Sequence, residues 1–184
     1  CYPGAFPYAL VRWTLGYPDS ARRYLQEVVA AQEPRAGPFD RVTGYEFCVM
    51  FYHWSGDFGQ MQASAQKLLA LTQAYEYELY TWLGQIYTAA ASSALGDTTV
   101  DHGLMRRNID AVIDRGTRMH VPYALCLLAE VCTRAGQVAA ASTALDEALA
   151  MTLQTGQRLW EAETHRLRGD LLAAQGLVRA AEFA

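Results

Sequence analysis

The sequence predicts an all-α fold, a right-handed α-solenoid of antiparallel helix pairs. Glycines recur every forty residues, at Gly16, Gly56, Gly96, Gly136 and Gly176. Each lies in a short turn between two apolar, alanine-rich stretches, and the apolar residues within those stretches follow a helical period. A fixed period of roughly 20 to 50 residues is typical of repeat arrays, in which each unit packs mainly on its neighbours. We therefore expect one helical-repeat domain over residues 1–184, with about 4.5 units.

Two helices are expected in each unit. In the fourth unit Leu125, Leu128 and Cys132 recur at steps of three and four residues, and Ala141 and Leu145 do so after the turn. A glycine turn between two such stretches joins them as an antiparallel pair.

Start and stop signals agree with this pairing. Asp19, Asp57 and Asp97 follow the turn glycines, where a side-chain oxygen can cap the next helix. Gly116 and Gly156, forty residues apart, mark the ends of second helices. The predicted helices cover residues 5–15, 19–32, 39–54, 58–75, 77–94, 99–115, 121–134, 138–154 and 158–174, with a fragment from about 178.

One position departs from the repeat. Five residues after the glycine, the other units carry residues such as Ala21 and Ala141, which let two helix axes approach. The third unit has Asp101 there. We expect its second helix to begin late or to pack differently.

Composition and charge exclude several classes of function. The chain is 52% hydrophobic and 18% charged, which favours a folded core over disorder. A net charge of −4 provides no basic footprint, so nucleic acid is not an expected direct partner. No stretch approaches the roughly 18 apolar residues of a membrane span, so no membrane association is expected.

The cysteines and the first residue bear on context. Cys1, Cys48, Cys126 and Cys132 form no CxxC pair and no metal-ligand spacing, which favours a reducing cytoplasm. The chain starts with Cys1 rather than Met, and its last unit stops soon after the turn. We expect a fragment of a longer protein.

The residues around the turns resemble the tetratricopeptide pattern in its longer form of about forty residues. More specific are the stretches Pro122–Leu125, Leu127–Glu130, Ala135–Gln137 and Glu161–Leu172. These look like the C-terminal repeat region of large bacterial signalling ATPases of the adenylate-cyclase and maltose-regulon-activator type. The resemblance implies a regulatory, partner-binding or inducer-sensing superhelix for signal transduction or transcription regulation, attached to catalytic parts outside this chain.

Within the chain, no set of residues predicts catalysis. Of Glu161, Glu163 and His165, only the first and third share a helix face, and two ligands do not make a metal site. Cys48 and His53 are five residues apart, which points them roughly 140° away from each other on a helix. No glycine-rich phosphate loop is present. We expect no enzyme, no cofactor and no metal; an enzyme of helical-toroid type would need a cluster of acids or a metal.

The resemblance also implies that the first helix of each unit lines a concave groove. Candidate groove-lining residues are Glu46, Met50, His53, Ile86, Ala90, Cys126, Glu130, Arg166 and Asp170. The alternative, that these columns belong partly to the core, stays open because the helix phase is not fixed by the period. Such a groove could hold a protein or peptide segment. It could also hold a small effector. The expected function is a non-catalytic protein–protein interaction or regulatory scaffold module; the alternative is effector sensing.

Two further surfaces are candidates for interaction. The second and third units are rich in aromatic residues, and several exposed together would mark a protein interface. Leu167, Leu171 and Leu172 would lie at an open edge of the last unit, through which a homodimer could form.

Overall fold

The computed structural model describes residues 5–32 and 36–176, and within those ranges it is helical and contains no strand. The all-α prediction is confirmed: the helices pack in adjacent pairs, as in an α-solenoid. The chain divides into two compact units, each of which contains several repeats. The first unit is Cys1–Gly84 and the second unit is Gln85–Ala184.

Four helices lie within the first unit, and a fifth contains the boundary. The first four are α1 (Ala5–Thr14), α2 (Pro18–Gln32), α3 (Pro38–Trp54) and α4 (Phe58–Ala74), and α5 spans Glu78–Ala94. Helix α1 packs on α2 and α3 packs on α4. These are the helix pairs that the glycine period predicts.

The second unit continues the pattern. Its helices are α6 (His102–Asp114), α7 (Val121–Arg134), α8 (Val138–Thr155) and α9 (Glu161–Ala174), with a short 3-10 helix, Arg158–Trp160, before α9. Helix α8 packs on both α7 and α9. The fragment predicted from about residue 178 lies outside the described residues. Within residues 5–32 and 36–176, no helix combines the length and apolar character that crossing a bilayer requires.

The turn glycines adopt the conformation that the period implies. Gly16, Gly56, Gly96, Gly136 and Gly176 have φ angles of 85°, 70°, 100°, 71° and 74°. In the first four turns the residue after the glycine donates its N–H to the carbonyl four residues before the glycine, at 2.8–3.0 Å. This is the Schellman arrangement, which satisfies carbonyls left open at a helix end and favours glycine because the backbone is left-handed.

The cap predictions need correction at two of three aspartates. Asp57 caps α4 as expected, accepting from the Gln60 N–H at 3.3 Å. Asp97 instead accepts from the N–H and hydroxyl of Thr99, closing a turn before α6. Asp101 caps α6, accepting from the Leu104 N–H at 2.9 Å, and this bond lowers the pKa of its carboxyl. The late start predicted for this helix is confirmed.

Asp19 is the second correction. It lies inside the first turn of α2 rather than before it, because the helix begins at Pro18. Proline suits the first helical position, since its fixed φ matches the helix and no N–H partner is needed there.

The residues in the small-residue columns are buried around the first, second and fourth turns, whereas Ala89 before the third turn is half-buried. In the first unit Ala9 and Ala21 are fully buried, and Leu25 fills the layer between their helices. In the second unit Ala129 and Ala141 are buried in the same way. Small side chains on facing helices let the axes approach and leave one larger residue to fill the gap.

A second column of small residues was not identified from the sequence. Gly44, Gly84, Ala124 and Thr164 stand forty residues apart, within the first helix of successive pairs. A Cβ built on Gly84 would lie 2.8 Å from Leu68 Cδ2 and from two atoms of Leu69. The glycine therefore permits a close approach of α4 to α5 within the first unit.

The backbone also holds one non-glycine residue in the left-handed region. Glu76, two residues after the end of α4, has φ of 54°, and the Tyr77 N–H donates to the Thr72 carbonyl at 3.0 Å. Gly116 and Gly156 occupy the equivalent positions forty and eighty residues later, with φ of 84° and 70°. The repeat geometry holds Glu76 in a conformation that costs an L-residue roughly 1–2 kcal/mol.

Replacing Gly84 by alanine is expected to lower the free energy of unfolding by about 1–3 kcal/mol, because the added methyl must displace two packed leucines. The matched control is Gly59→Ala in the first turn of α4, where the nearest atom to the added Cβ is a carboxylate oxygen of Asp57 at 4.0 Å. Alanine is the better helix former, so the control should gain up to about 1 kcal/mol. Urea unfolding followed by circular dichroism measures both. Equal stability of the two variants would contradict the close approach.

Replacing Glu76 by glycine is expected to raise the free energy of unfolding by up to about 1 kcal/mol, because the strain of the left-handed backbone is relieved. The reciprocal change, Gly116→Ala, should lower it by a similar amount. Thermal unfolding of both variants beside the unsubstituted chain provides the measurement. A destabilised Glu76→Gly variant would show that this turn does not hold the residue at positive φ.

Candidate functional site

The structure separates the candidate groove residues into two groups. Glu46, Met50, Ile86, Ala90 and Cys126 are buried, whereas His53 and Glu130 are half-buried and Arg166 and Asp170 are exposed. The apolar members and the carboxylate Glu46 therefore belong to the interior, which is the alternative that the sequence left open. The exposed and half-buried polar members are the ones available to a partner.

Three of these polar residues lie together on α7 and α9. Arg166 donates to Glu163 from Nε at 2.8 Å and from Nη2 at 2.6 Å, and to Asp170 from Nη1 at 2.6 Å. Glu130 accepts from Arg134 Nη2 at 2.7 Å. We call Glu130, Arg134, Glu163, Arg166 and Asp170 the α7–α9 charged cluster.

The charges of this cluster act on one another. The hydrogen bonding that Arg166 donates to Glu163 is the main cause of a raised pKa at the Arg166 guanidinium, and the charges of Glu163, Asp170 and Glu130 add to it. Arg166 is therefore protonated at neutral pH. Three carboxylates against two guanidinium groups leave the cluster with a net charge of −1.

The Arg166–Asp170 ion pair of the cluster is positioned to exchange partners. The Arg166 side chain is 55% exposed and that of Asp170 is 64% exposed. A pair exposed to this degree contributes only about 0–1 kcal/mol, because water screens the charges. An incoming charged or hydrogen-bonding group can therefore replace it at little cost to the fold. Glu163 and Glu130 are less accessible, with side chains that are 24% and 11% exposed.

Beneath the cluster, a buried hydrogen bond joins α7 to α9. Cys126 Sγ lies 3.3 Å from Thr164 Oγ1, and the Thr164 hydroxyl donates to the Trp160 carbonyl at 2.7 Å. Because that hydroxyl has one proton, the Cys126 thiol must be the donor in the first contact. The pair fixes the spacing of the two helices that carry the charges.

Glu161, Glu163 and His165, weighed from the sequence as a metal set, have other roles. Glu161 lies 3.6 Å from Arg158 Nε, and Glu163 belongs to the charged cluster. His165 Nδ1 is buried and makes no hydrogen bond. Among residues 5–32 and 36–176, no group of three or more His, Cys, Asp or Glu has the arrangement of a metal site.

A cavity of about 340 Å³ adjoins the cluster within the second unit. Its wall includes Ser93 in the last turn of α5, Asp97 after that helix, and Val131 and Arg134 near the end of α7. Arg134 therefore lines the cavity and also pairs with Glu130. This cavity could not be predicted from the sequence, because it is formed by a turn and a helix end forty residues apart.

The predicted open edge lies on α9. Leu171 is buried, and Leu167 and Leu172 are half-buried. The residues that would follow in the repeat lie beyond the described ranges.

The Cys126 thiol is expected to resist alkylation. Burial raises its pKa to about 12, against 9.0 for a free thiol, so it is protonated near neutral pH, where iodoacetamide attacks thiolates. Because the pKa of this thiol is higher in the folded than in the unfolded chain, the protonated thiol contributes to the free energy of unfolding. That contribution is fully present below about pH 9 and is lost as the pH rises toward 12. Peptide mapping should find Cys126 modified in urea and unmodified without it; modification of the folded chain at neutral pH would contradict this burial.

Comparison with known proteins identifies the fold. No protein-family model matches the sequence, and no curated protein is significantly similar to it. Among solved structures, the apo form of RapI is similar over 96% of this chain, with a TM-score of 0.66 and 11% sequence identity. The chain spans 65% of the length of RapI. At this identity the likeness bears on architecture alone, and it shows that the chain has a tetratricopeptide-like helical-repeat fold.

Proposed function

We propose that this chain is a non-catalytic protein–protein interaction or regulatory scaffold module. It belongs to a larger bacterial signalling or transcription-regulatory protein in the cytoplasm, as the sequence resemblance implies. The α7–α9 charged cluster receives a polypeptide segment of the partner and forms part of a concave groove.

The observation that carries the proposal is the register of the cluster. Glu130 and Asp170 stand forty residues apart at the same place in successive first helices, and both are acidic. Equivalent residues of a repeat array face the same side. The positively charged Arg166 donates a hydrogen bond to Asp170, and it is close enough to Glu130 for the negative charge of that residue to act on it.

This arrangement suits a peptide better than a catalytic substrate. Arginine and carboxylate groups offer fixed donors and acceptors side by side, which can bind the main chain or polar side chains of an extended segment. The apolar residues at the equivalent positions of the earlier units, Met50 and Ala90, are buried.

Effector sensing is the second candidate function, and the cavity favours it. A volume of about 340 Å³ is within the range of small-ligand sites, roughly 300–1,000 Å³. A ligand that bound Arg134 there would compete with the hydrogen bond that Arg134 donates to Glu130. Occupancy of the cavity would then change the charge presented on the neighbouring face, which is how a regulatory module could couple two ligands.

In the double variant Glu130→Gln, Asp170→Asn both carboxylates are replaced by neutral side chains of the same volume. We expect the amount of partner protein that it retains to fall by about tenfold or more. The 184-residue chain is immobilised and the retained proteins are quantified by mass spectrometry. Arg107→Gln, an exposed charge on α6 outside the cluster, is the matched control and should retain them.

Identical retention by the double variant, the control and the unsubstituted chain would exclude the cluster as the binding surface. If no protein is retained and native mass spectrometry finds a bound small molecule, the effector function replaces the scaffold function. Light scattering of the same samples tests the homodimer through the α9 edge, which would double the mass.

A further inference from the structure

Four aromatic rings lie together where α3 and α5 begin, within the first unit. The Phe39 ring is 5.9 Å from that of Tyr77 and 5.8 Å from that of Tyr80, with interplanar angles of 88° and 83°. Tyr75 stacks on Tyr77 at 6.1 Å and 22°. We call these four residues the aromatic corner. One phenyl ring stands perpendicular to two phenol rings, so ring faces and ring edges meet around one point.

Two of the four rings are exposed, and those of Tyr77 and Tyr80 are half-buried. Phe39 is 52% exposed and Tyr75 is 51% exposed. Exposed apolar residues also occupy the place equivalent to Phe39 in the second unit, where Met119 is 61% and Leu159 is 59% exposed. Single exposed apolar residues are ordinary, but one recurring at the same register, and joined here to three more rings, indicates a contact surface.

Acidic residues flank the rings of the corner along the chain. Residues 39–46 and 75–80 include four acidic side chains, Asp40, Glu46, Glu76 and Glu78, and one basic side chain, Arg41. Burial of the Tyr80 phenol is the main cause that raises its pKa to about 12, and the negative charge of nearby Glu46 adds to the shift. The phenol is therefore neutral at physiological pH. The two segments together carry three more acidic than basic side chains.

Aromatic faces and carboxylates recognise the same kind of group. The face of a phenyl or phenol ring attracts a cation, and perpendicular rings can contact one cation from more than one side. Carboxylates at longer range attract the same charge. Phosphates, nucleic acids and anionic lipid surfaces are repelled by this set of groups.

We propose that the aromatic corner binds an arginine or lysine side chain in a basic segment of a partner protein. The corner is a second surface, in the first unit, and does not depend on the α7–α9 charged cluster. The segment need not be folded, because one cationic side chain seated among the rings supplies the contact.

The probe for this site is a short fluorescein-labelled peptide in which arginine alternates with glycine and serine. The comparison peptide carries citrulline, which has the shape of arginine without its charge. Fluorescence anisotropy with the full chain should give saturable binding of the arginine peptide alone, weakened at about 0.5 M salt.

Phe39→Leu keeps an apolar residue and removes the ring face. We expect it to lower the affinity for the arginine peptide by at least about fivefold. Tyr77→Leu should act similarly. Leu153→Ala, a change at a residue that is 74% exposed outside the corner, is the matched control and should leave the affinity unchanged. Circular dichroism establishes that each variant folds.

Two results would overturn the proposal: equal binding of the citrulline peptide, or full affinity in a folded Phe39→Leu variant. Loss of peptide binding in the double variant Glu130→Gln, Asp170→Asn with the corner intact would place the basic segment on the other surface. The corner and the cluster can therefore fail separately.

Discussion

The left-handed turn that ends the first helix of each pair is the constraint on which the rest of the structure depends. At Gly56, Gly96 and Gly136 the following N–H closes back onto the helix, so the chain must reverse within a few residues. The reversal brings two helices side by side along most of their length. Small buried residues at fixed distances from the turn then become necessary, and Ala129 and Ala141 occupy those places.

Because the constraint is local, most of the fold can be predicted from the sequence. Glycine at positive φ, an apolar helical period and small residues at set offsets are all visible as residue types. Glu76 was not predictable, since it adopts the same left-handed conformation without being glycine. Asp97 was misassigned because Asp97 and Asp101 both lie where a carboxylate can bind an open N–H, and the geometry alone decides which one caps the helix.

The candidate site was less predictable, for a related reason. A period of forty residues determines which positions are equivalent but does not determine which way a helix is rotated. Ile86 and Cys126 occupy the columns proposed to line a groove, yet both are fully buried. Arg166 is exposed in the same column as Cys126. Glu46 stands in that column too and is buried although it is charged, so neither the register nor the side-chain type alone decides exposure at these positions.

The surfaces that distinguish this chain are therefore departures from its own repeat. At one register position the residues are Leu10, Met50, Ala90, Glu130 and Asp170, apolar in the first three repeats and acidic in the last two. The backbone at that position repeats, so the stability of the helix pair does not require the acidic residues there. Exposed ion pairs add little stability. A net acidic set of groups at repeated places, held apart by a fixed backbone, provides specificity for a ligand, whereas the turns and small residues provide the fold.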